Sequence, residues 1–339
     1  MGLVKQMKKG VLKTFAIIIS SVILISCLLG GCSTSDKKAI TILSANYEEQ
    51  LVIQRAYLKE KFPDYDINIT YMSSGDLAAK LLSEGSDTEA DIVMTLSSAY
   101  ANQIKSAGLL LPYAPSTPYK DEYSDAEGYI SPNGVWCGAF LINTEELAKN
   151  NLLEPTSYKD LLDPIYKDHI VMANPSSSST GYFFLLGIIN LYGEDEGWEY
   201  FEQLKENVLL FGTSGSIPSS MVEKGEAVIG LGIDYEGMRL EELGRSVKVI
   251  FADEGSPYDY DTALLIKRNN EPSDEVMAVM DAITSVEGNA VFNDYNISIL
   301  KDGVDIGNYP DNFKLLDMTG ITDGNLKKSY TEKWNDLIG

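Results

Sequence analysis

Residues 66–83, DINITYMSSGDLAAKLLS, read as a strand, a turn and a helix. Residues 66–72 alternate apolar and polar side chains as a strand does, residues 74–83 read as a helix, and Ser73, Ser74 and Gly75 make the turn between them. Upstream, residues 39–44 (AITILS) form a buried strand. Residues 48–62 carry Leu51, Leu58 and Phe62 at helical spacing, and Pro63 stops that helix. Downstream, residues 92–95 form a short strand before Ser97-Ser98. This βαβαβ order predicts a mostly parallel sheet with helices on both faces, an α/β fold. The alternation continues with strands at 135–143, 170–173, 227–233, 247–251 and 262–266. A helix is entered at 144–146, and others cover 180–192, 198–207, 217–224, 273–285 and 328–338.

The chain has 339 residues, of which 44% are hydrophobic, so it suits two domains or one large doubly wound unit and needs no disulfide or metal staple to fold. Its formal charge of −23 opposes approach to a polyanion, because phosphate contacts need Lys and Arg. Nucleic acid is therefore not an expected partner.

The first residues read as an address. Lys5, Lys8, Lys9 and Lys13 precede an apolar run, 15–29, short for a membrane span and typical of a secretory leader, with an uncleaved anchor helix as the alternative. The run ends in Leu29-Gly30-Gly31-Cys32, which resembles a bacterial lipobox. The expectation is a signal peptide over 1–31, a lipid on Cys32, a tether over 32–38, and a folded part outside the cytoplasmic membrane, anchored to it by acyl chains. Cys27 leaves with the leader and Cys32 is lipidated, so Cys137 remains without a disulfide partner. It sits in the apolar run VWCGAFL (135–141), which predicts a buried, inert thiol.

Three strand-to-helix turns share one chemistry: residues 71–76, residues 174–182 and residues 212–218. Each offers hydroxyls and unpaired N–H groups of a first helical turn, which can hold an anionic group without a full counter-charge. In open α/β sheets such turns gather at the carboxyl ends of the strands, where ligands bind.

The chain resembles the extracytoplasmic solute-binding proteins of ABC importers, in particular the ferric-iron-binding type whose relatives also carry phosphonates, sugar phosphates and other small anions. The resemblance rests on YMSSGDLAAKL (71–81), ADIVM (90–94), GEAVIGL (225–231) and EGSP (254–257), and extends from Ile40 to about Ile338. It implies the two-lobed type II periplasmic-binding-protein fold, with crossing strands near 136–143 and 250–257. One lobe would be 39–135 plus about 257–300, the other 136–256 plus about 301–339. It also implies a monomer that captures a small solute and delivers it to permease and ATPase subunits, with no catalytic residue, cofactor or resident metal. The residues expected to hold the solute are Ser73, Ser74, Gly75, Ser97 and Ser98 from the first lobe. From the second they are Ser178, Ser179, Thr180, Ser214, Gly215 and Tyr235. These suit a phosphate- or phosphonate-bearing anion, while Asp76, Asp234, Glu236 and Glu254, expected near the same cleft, would suit an ammonium group.

Ferric iron, a polyamine, or hydrolysis by an extracytoplasmic α/β enzyme are the alternatives. Ferric-binding members present two adjacent tyrosines, whereas the matching segment here, GIDYEG (232–237), has Tyr235 alone; Tyr47 and Tyr182 are further, scattered candidates. His169, the single histidine, begins a strand away from the expected cleft. GTSGS (212–216) starts like a nucleophile elbow, but no histidine follows Ser214, so the serine, acid, histidine order cannot be met. GLGIDY (230–235) lacks the third glycine of a dinucleotide loop, and acid pairs such as Glu48-Glu49 and Glu241-Glu242 diverge on helices.

The lipobox reading makes Cys32→Ala a direct test. The variant is expected to stay unprocessed or to leave the membrane fraction, as followed by acyl labelling and fractionation.

Overall fold

A computed structural model describes residues 39–46, 48–292, 297–301 and 309–338. The leader, Cys32, the tether and Tyr47 lie outside the described residues. Strand β1 (Ile40–Ser44) lies between β2 (Ile67–Tyr71) and β3 (Ile92–Ser97) and runs parallel to both. Parallel neighbours need a crossover long enough for a helix. Here α1 (Glu48–Lys61) and α2 (Ser74–Glu84) supply it. A helix not expected from the sequence, α3 (Ser98–Ser106), follows β3 without a loop.

The next strand, β4 (Ser131–Asn143), is buried along its whole length. Up to Cys137 it runs antiparallel to β9 (Tyr258–Leu265), which lies in turn against β3. From Gly138 onward it pairs instead with β7 (Ile229–Ile233) and with β8 (Val247–Ile250). Strand β5 (Ile170–Ala173) sits parallel to β7 and to β6 (Val208–Gly212). Among the described residues the order is β2-β1-β3-β9-β4-β7-β5-β6, with β8 beside β4. The chain thus passes between two α/β lobes twice, inside β4 and again over 251–257 between β8 and β9.

Each lobe has its own apolar centre. In the first, Ile42, Leu51, Ile92, Met94 and Leu265 pack with Val279 and Ile283 of α9 (Asp274–Thr284). In the second, α5 (Ser179–Tyr192), α6 (Glu194–Leu204) and the last helix, α11 (Gly324–Ile338), meet around Phe183, Phe184, Phe201 and Trp334. The fully buried Trp334 stands edge-on to Phe201 and Phe211.

Several boundaries differ from the sequence reading. Strand β6 was not expected, because its apolar run follows a helix with only Lys205-Glu206-Asn207 between them. Strand β4 starts four residues before Val135; Ser131-Pro132-Asn133-Gly134 looks like a turn, and the ladder does shift register between Pro132 and Gly134. Strand β9 starts at Tyr258 rather than 262, because Tyr-Asp-Tyr-Asp reads as polar while two lobes enclose it. Cys137 is buried, and burial pushes its thiol well above the usual range.

Gly138 stands where β4 changes partners. A Cβ there would lie 2.6 Å from Phe184 Cζ and 2.7 Å from Phe183 Cε2. Gly138→Ala is expected to destabilise the protein by about 1–3 kcal/mol through overpacking. A lower urea midpoint at unchanged slope is the result to look for.

Candidate functional site

The carboxyl ends of the parallel strands converge on one cavity. Ala45 and Asn46 follow β1, Tyr71 ends β2, Ser177 follows β5, Ser214 follows β6 and Ile233 ends β7, and all of them line it. Three helices start at its wall: α2 at Ser74, α5 at Ser179 and α7 (Ser216–Glu223) just beyond Gly215. In α2 the Ser73 hydroxyl accepts the Asp76 N–H at 3.3 Å and donates to the Asp76 carboxylate at 2.8 Å. At α5 the Ser178 side chain makes no cap bond, and at α7 Gly215 has no side chain to make one, so neither first turn carries a side-chain cap, although Ile217 N donates to Ser214 O at 3.3 Å. The walls nearly touch, with Ser74 Oγ 3.4 Å from Ser179 Oγ. The space between them is about 40 Å³, room for a few water-sized groups.

Thr95 reaches the cavity by distorting the backbone. Its φ of 56° is left-handed, rare for a β-branched residue, and the β3–β9 register shifts across it between Met94 and Leu96. Its hydroxyl donates to Met94 O at 2.6 Å and lies 2.7 Å from Ser44 Oγ. A strained conformation of this kind costs about 1–3 kcal/mol and persists only where its surroundings hold it.

Among the described residues no lysine, arginine or histidine lines this cavity. The one carboxylate among them is Asp261 on β9, beside Trp136 of β4. Burial pushes Asp261 up to about 7, with a smaller push from Asp259 and an opposing hydrogen bond from the Trp136 indole. Burial likewise raises the phenols of Tyr71 and Tyr235.

Of the residues singled out from the sequence, Ser73, Ser74, Ser178, Ser179, Thr180, Ser214, Gly215 and Tyr235 line the cavity together. Gly75, Ser97 and Ser98 do not. Gly75 lies behind Ser74, where a Cβ would come within 3.0 Å of Ser177 O, so its bareness lets two serine turns approach. Ser97 is fully buried, and Ser98 donates to Asp259 at 2.5 Å. The carboxylates are also placed differently from expectation. Asp234 is engaged by Cys137 N and Sγ, each at 3.1 Å, and by the Tyr309 hydroxyl at 2.7 Å. Glu254 accepts from Tyr158 N at 3.2 Å and from the Tyr192 hydroxyl at 3.2 Å. The Asp76 carboxylate accepts from the Ser73 hydroxyl in the first turn of α2, and Glu236 lines a neighbouring 320 Å³ cavity beyond Tyr71, shared with Glu48, Glu223 and Arg239. His169 is outside the lining, its carbonyl accepting from Val228 N and Ile229 N. Tyr71, Thr95, Trp136, Ser177 and Asp261 were missed. Tyr71 and Ser177 obey the same strand-end rule that selected the other serines, whereas Asp261 lies just before the strand expected at 262–266.

Under the cavity lies a second polar cluster. Tyr182 is fully buried there, and the Lys327 ammonium sits 2.9 Å from the Tyr100 ring centre and 4.8 Å from that of Tyr182. Burial drives Lys327 well below its usual range, while Asp259, raised by burial to about 6, attracts it. The cluster ties α3, α5 and α11 together.

Residues 87–311 match the family described as bacterial extracellular solute-binding protein. The chain belongs to that family. A probable ABC transporter periplasmic-binding protein of Sinorhizobium fredii is 25% identical over 232 residues, 65% of this chain and 63% of that protein. This chain spans about three fifths of the length of the curated relatives it matches first, 61% and 63%. Among solved structures, the periplasmic binding protein AfuA of Actinobacillus pleuropneumoniae, with fructose-6-phosphate bound, superposes with a TM-score of 0.81 at 23% identity, covering 89% of this chain and 99% of that one. Iron-bound HitA of Pseudomonas aeruginosa gives 0.68 at 21% identity, covering 87% and 99%. The fold is that of type II periplasmic binding proteins, and these fold neighbours are binding proteins.

Among the described residues no three His, Cys, Asp or Glu side chains are grouped to hold a metal ion. With both cavity phenols raised by burial, ferric citrate is expected to produce no phenolate-to-iron band in the visible spectrum. A band that disappears in Tyr235→Phe would restore iron as the cargo.

Proposed function

We propose that this protein is a lipid-anchored, monomeric receptor of an ABC importer that captures a small anion bearing a phosphate or phosphonate group and hands it to the permease. The observation that carries the solute class is the meeting of three helix N-termini and their hydroxyls on one cavity. Each terminus favours a negative group by about 0.3–1 kcal/mol, more where partly buried. AfuA, of the same fold, holds a sugar phosphate. The importer role is supported by the family and by the relative named as an ABC transporter protein. The extracytoplasmic place and the lipid on Cys32 are supported by the leader sequence.

Capture works by a shift of population. Ser73 and Ser74 belong to one lobe, Ser178, Ser179, Thr180 and Ser214 to the other, so a ligand touches both sets only when the lobes are closed. Those additional contacts pull the open–closed equilibrium toward closure, and the permease reads the closed shape. The crossing strands, near Asn143 and Ile250, would absorb the rotation. The small volume of the cavity admits the oxyanion itself; the rest of a larger solute extends toward the mouth beside Tyr71.

Calorimetry on the soluble domain against phosphonates, sugar phosphates, ferric salts and polyamines tests the reading. A phosphorylated or phosphonate compound is expected to bind, and Ser74→Ala and Ser214→Ala each to weaken it by about 1.5–3 kcal/mol, a hydrogen bond to a charged group. Tight polyamine binding with no heat from any phosphate or phosphonate would overturn it.

A further inference from the structure

Asp261 is the one feature of the cavity that an anion site would not be expected to contain. It belongs to the crossing strand β9, opposite Ser97 of β3 and Gly134 of β4, and lines the cavity together with the serine turns. An ionised carboxylate there would face the bound oxyanion as a like charge, with no lysine, arginine or histidine among the described lining residues to offset it. A neutral carboxylic acid at the same place is a hydrogen-bond donor. We propose that Asp261 makes capture proton-coupled, meeting the bound oxyanion as its acid form and donating to it. The inference rests on the anion reading above.

The groups around Asp261 agree with this role. On its own strand Asp259 is a second carboxylate, and its negative field disfavours ionisation of Asp261. From β4 the Trp136 indole favours the ionised form, but burial outweighs it and brings the carboxyl up to about 7. Tyr235 of α8 (Asp234–Glu242) and Tyr71 of β2 line the same space, and burial keeps both phenols neutral. The buried Lys327 is directed to Asp259, not to the cavity. An unbound site therefore holds the proton for part of the time near neutrality, and an arriving anion raises the affinity for it further.

Methanesulfonate is the discriminating probe, because it carries no proton of its own in the working range; methylphosphonate is its partner probe. Between about pH 6 and about pH 9, wild-type affinity for methanesulfonate is expected to be level at first and then to fall about tenfold per pH unit above about pH 7. Calorimetry near pH 8.5 in two buffers of different ionisation heat should show about one proton taken up per anion bound. In Asp261→Asn the fall with pH should vanish, whatever the variant's absolute affinity. The wild-type proton count alone decides the matter if the variant does not fold. Binding with a level pH profile and no proton uptake overturns this inference and leaves the anion reading standing. A fall that persists in Asp261→Asn overturns it too, since the proton then resides elsewhere. No heat from either probe, nor from any phosphate or phosphonate compound, overturns the anion reading and this inference with it.

Discussion

The thirteen residues of β4 are hydrogen-bonded into both halves of the sheet, and the architecture depends on that shared strand. Buried backbone groups must be paired, so neither half can close its ladder without β4, and the exchange of partners at Cys137 and Gly138 fixes where one lobe ends and the next begins. The same constraint builds the site. Trp136, one residue before the exchange, and Asp261, on the strand that β4 meets first, both face the cavity. The strand shared by the two halves of the sheet and the cavity wall are therefore made from the same backbone. A rotation about the crossings displaces the serine turns of one lobe relative to those of the other, while the floor between them stays attached to both.

The lining offers dipoles and hydroxyls rather than counter-ions. The net charge of −23 does not contradict an anionic cargo, since exposed charges are screened within about 8 Å at physiological salt and the lining is what a bound solute feels. Helix termini and neutral donors bring another consequence. Their contributions are modest individually and all require close, oriented contact, so they vanish together once the walls separate. A fixed lysine or arginine would go on attracting the anion across an open cleft. A receptor that must release its cargo to a transporter is served by the first arrangement.

The fold was largely legible because alternation and helical spacing are local signals. Residues 39–95 announce their βαβαβ order, and the strand-end rule points to seven of the selected residues that the structure gathers on one cavity, Tyr235 being selected by the family resemblance instead. The site was legible only where it depends on such local signals. Ser97 and Ser98 look like the other serine turns, yet they follow a strand that β9 covers, so their hydroxyls point into protein, and Ser98 is held by Asp259. Asp234 and Glu254 lie in the right segments but are occupied by partners 96 or 97 positions away in the chain. Asp261 was hidden for the opposite reason: a polar, alternating stretch reads as exposed unless one knows that two lobes enclose it. Long-range pairing decides each of these cases, and no window along the sequence contains it.

The contact between Ser74 and Ser179 bears on how closure is driven. At 3.4 Å it joins the lobes by a weak, neutral interaction, so the protein alone has little to gain from closing at that point. On the proposed anion reading, an oxyanion in the same place would accept from both hydroxyls and from N–H groups at the starts of α5 and α7, replacing one long neutral bond with several charge-assisted ones. The free energy difference between open and closed forms is then dominated by contacts that only the occupied cavity makes, which is the condition for a ligand to shift such an equilibrium. The strained backbone at Thr95 fits the same logic, because its hydroxyl, held by Met94 O and Ser44, fixes that part of the wall before a ligand arrives and spares the closing step that reorganisation.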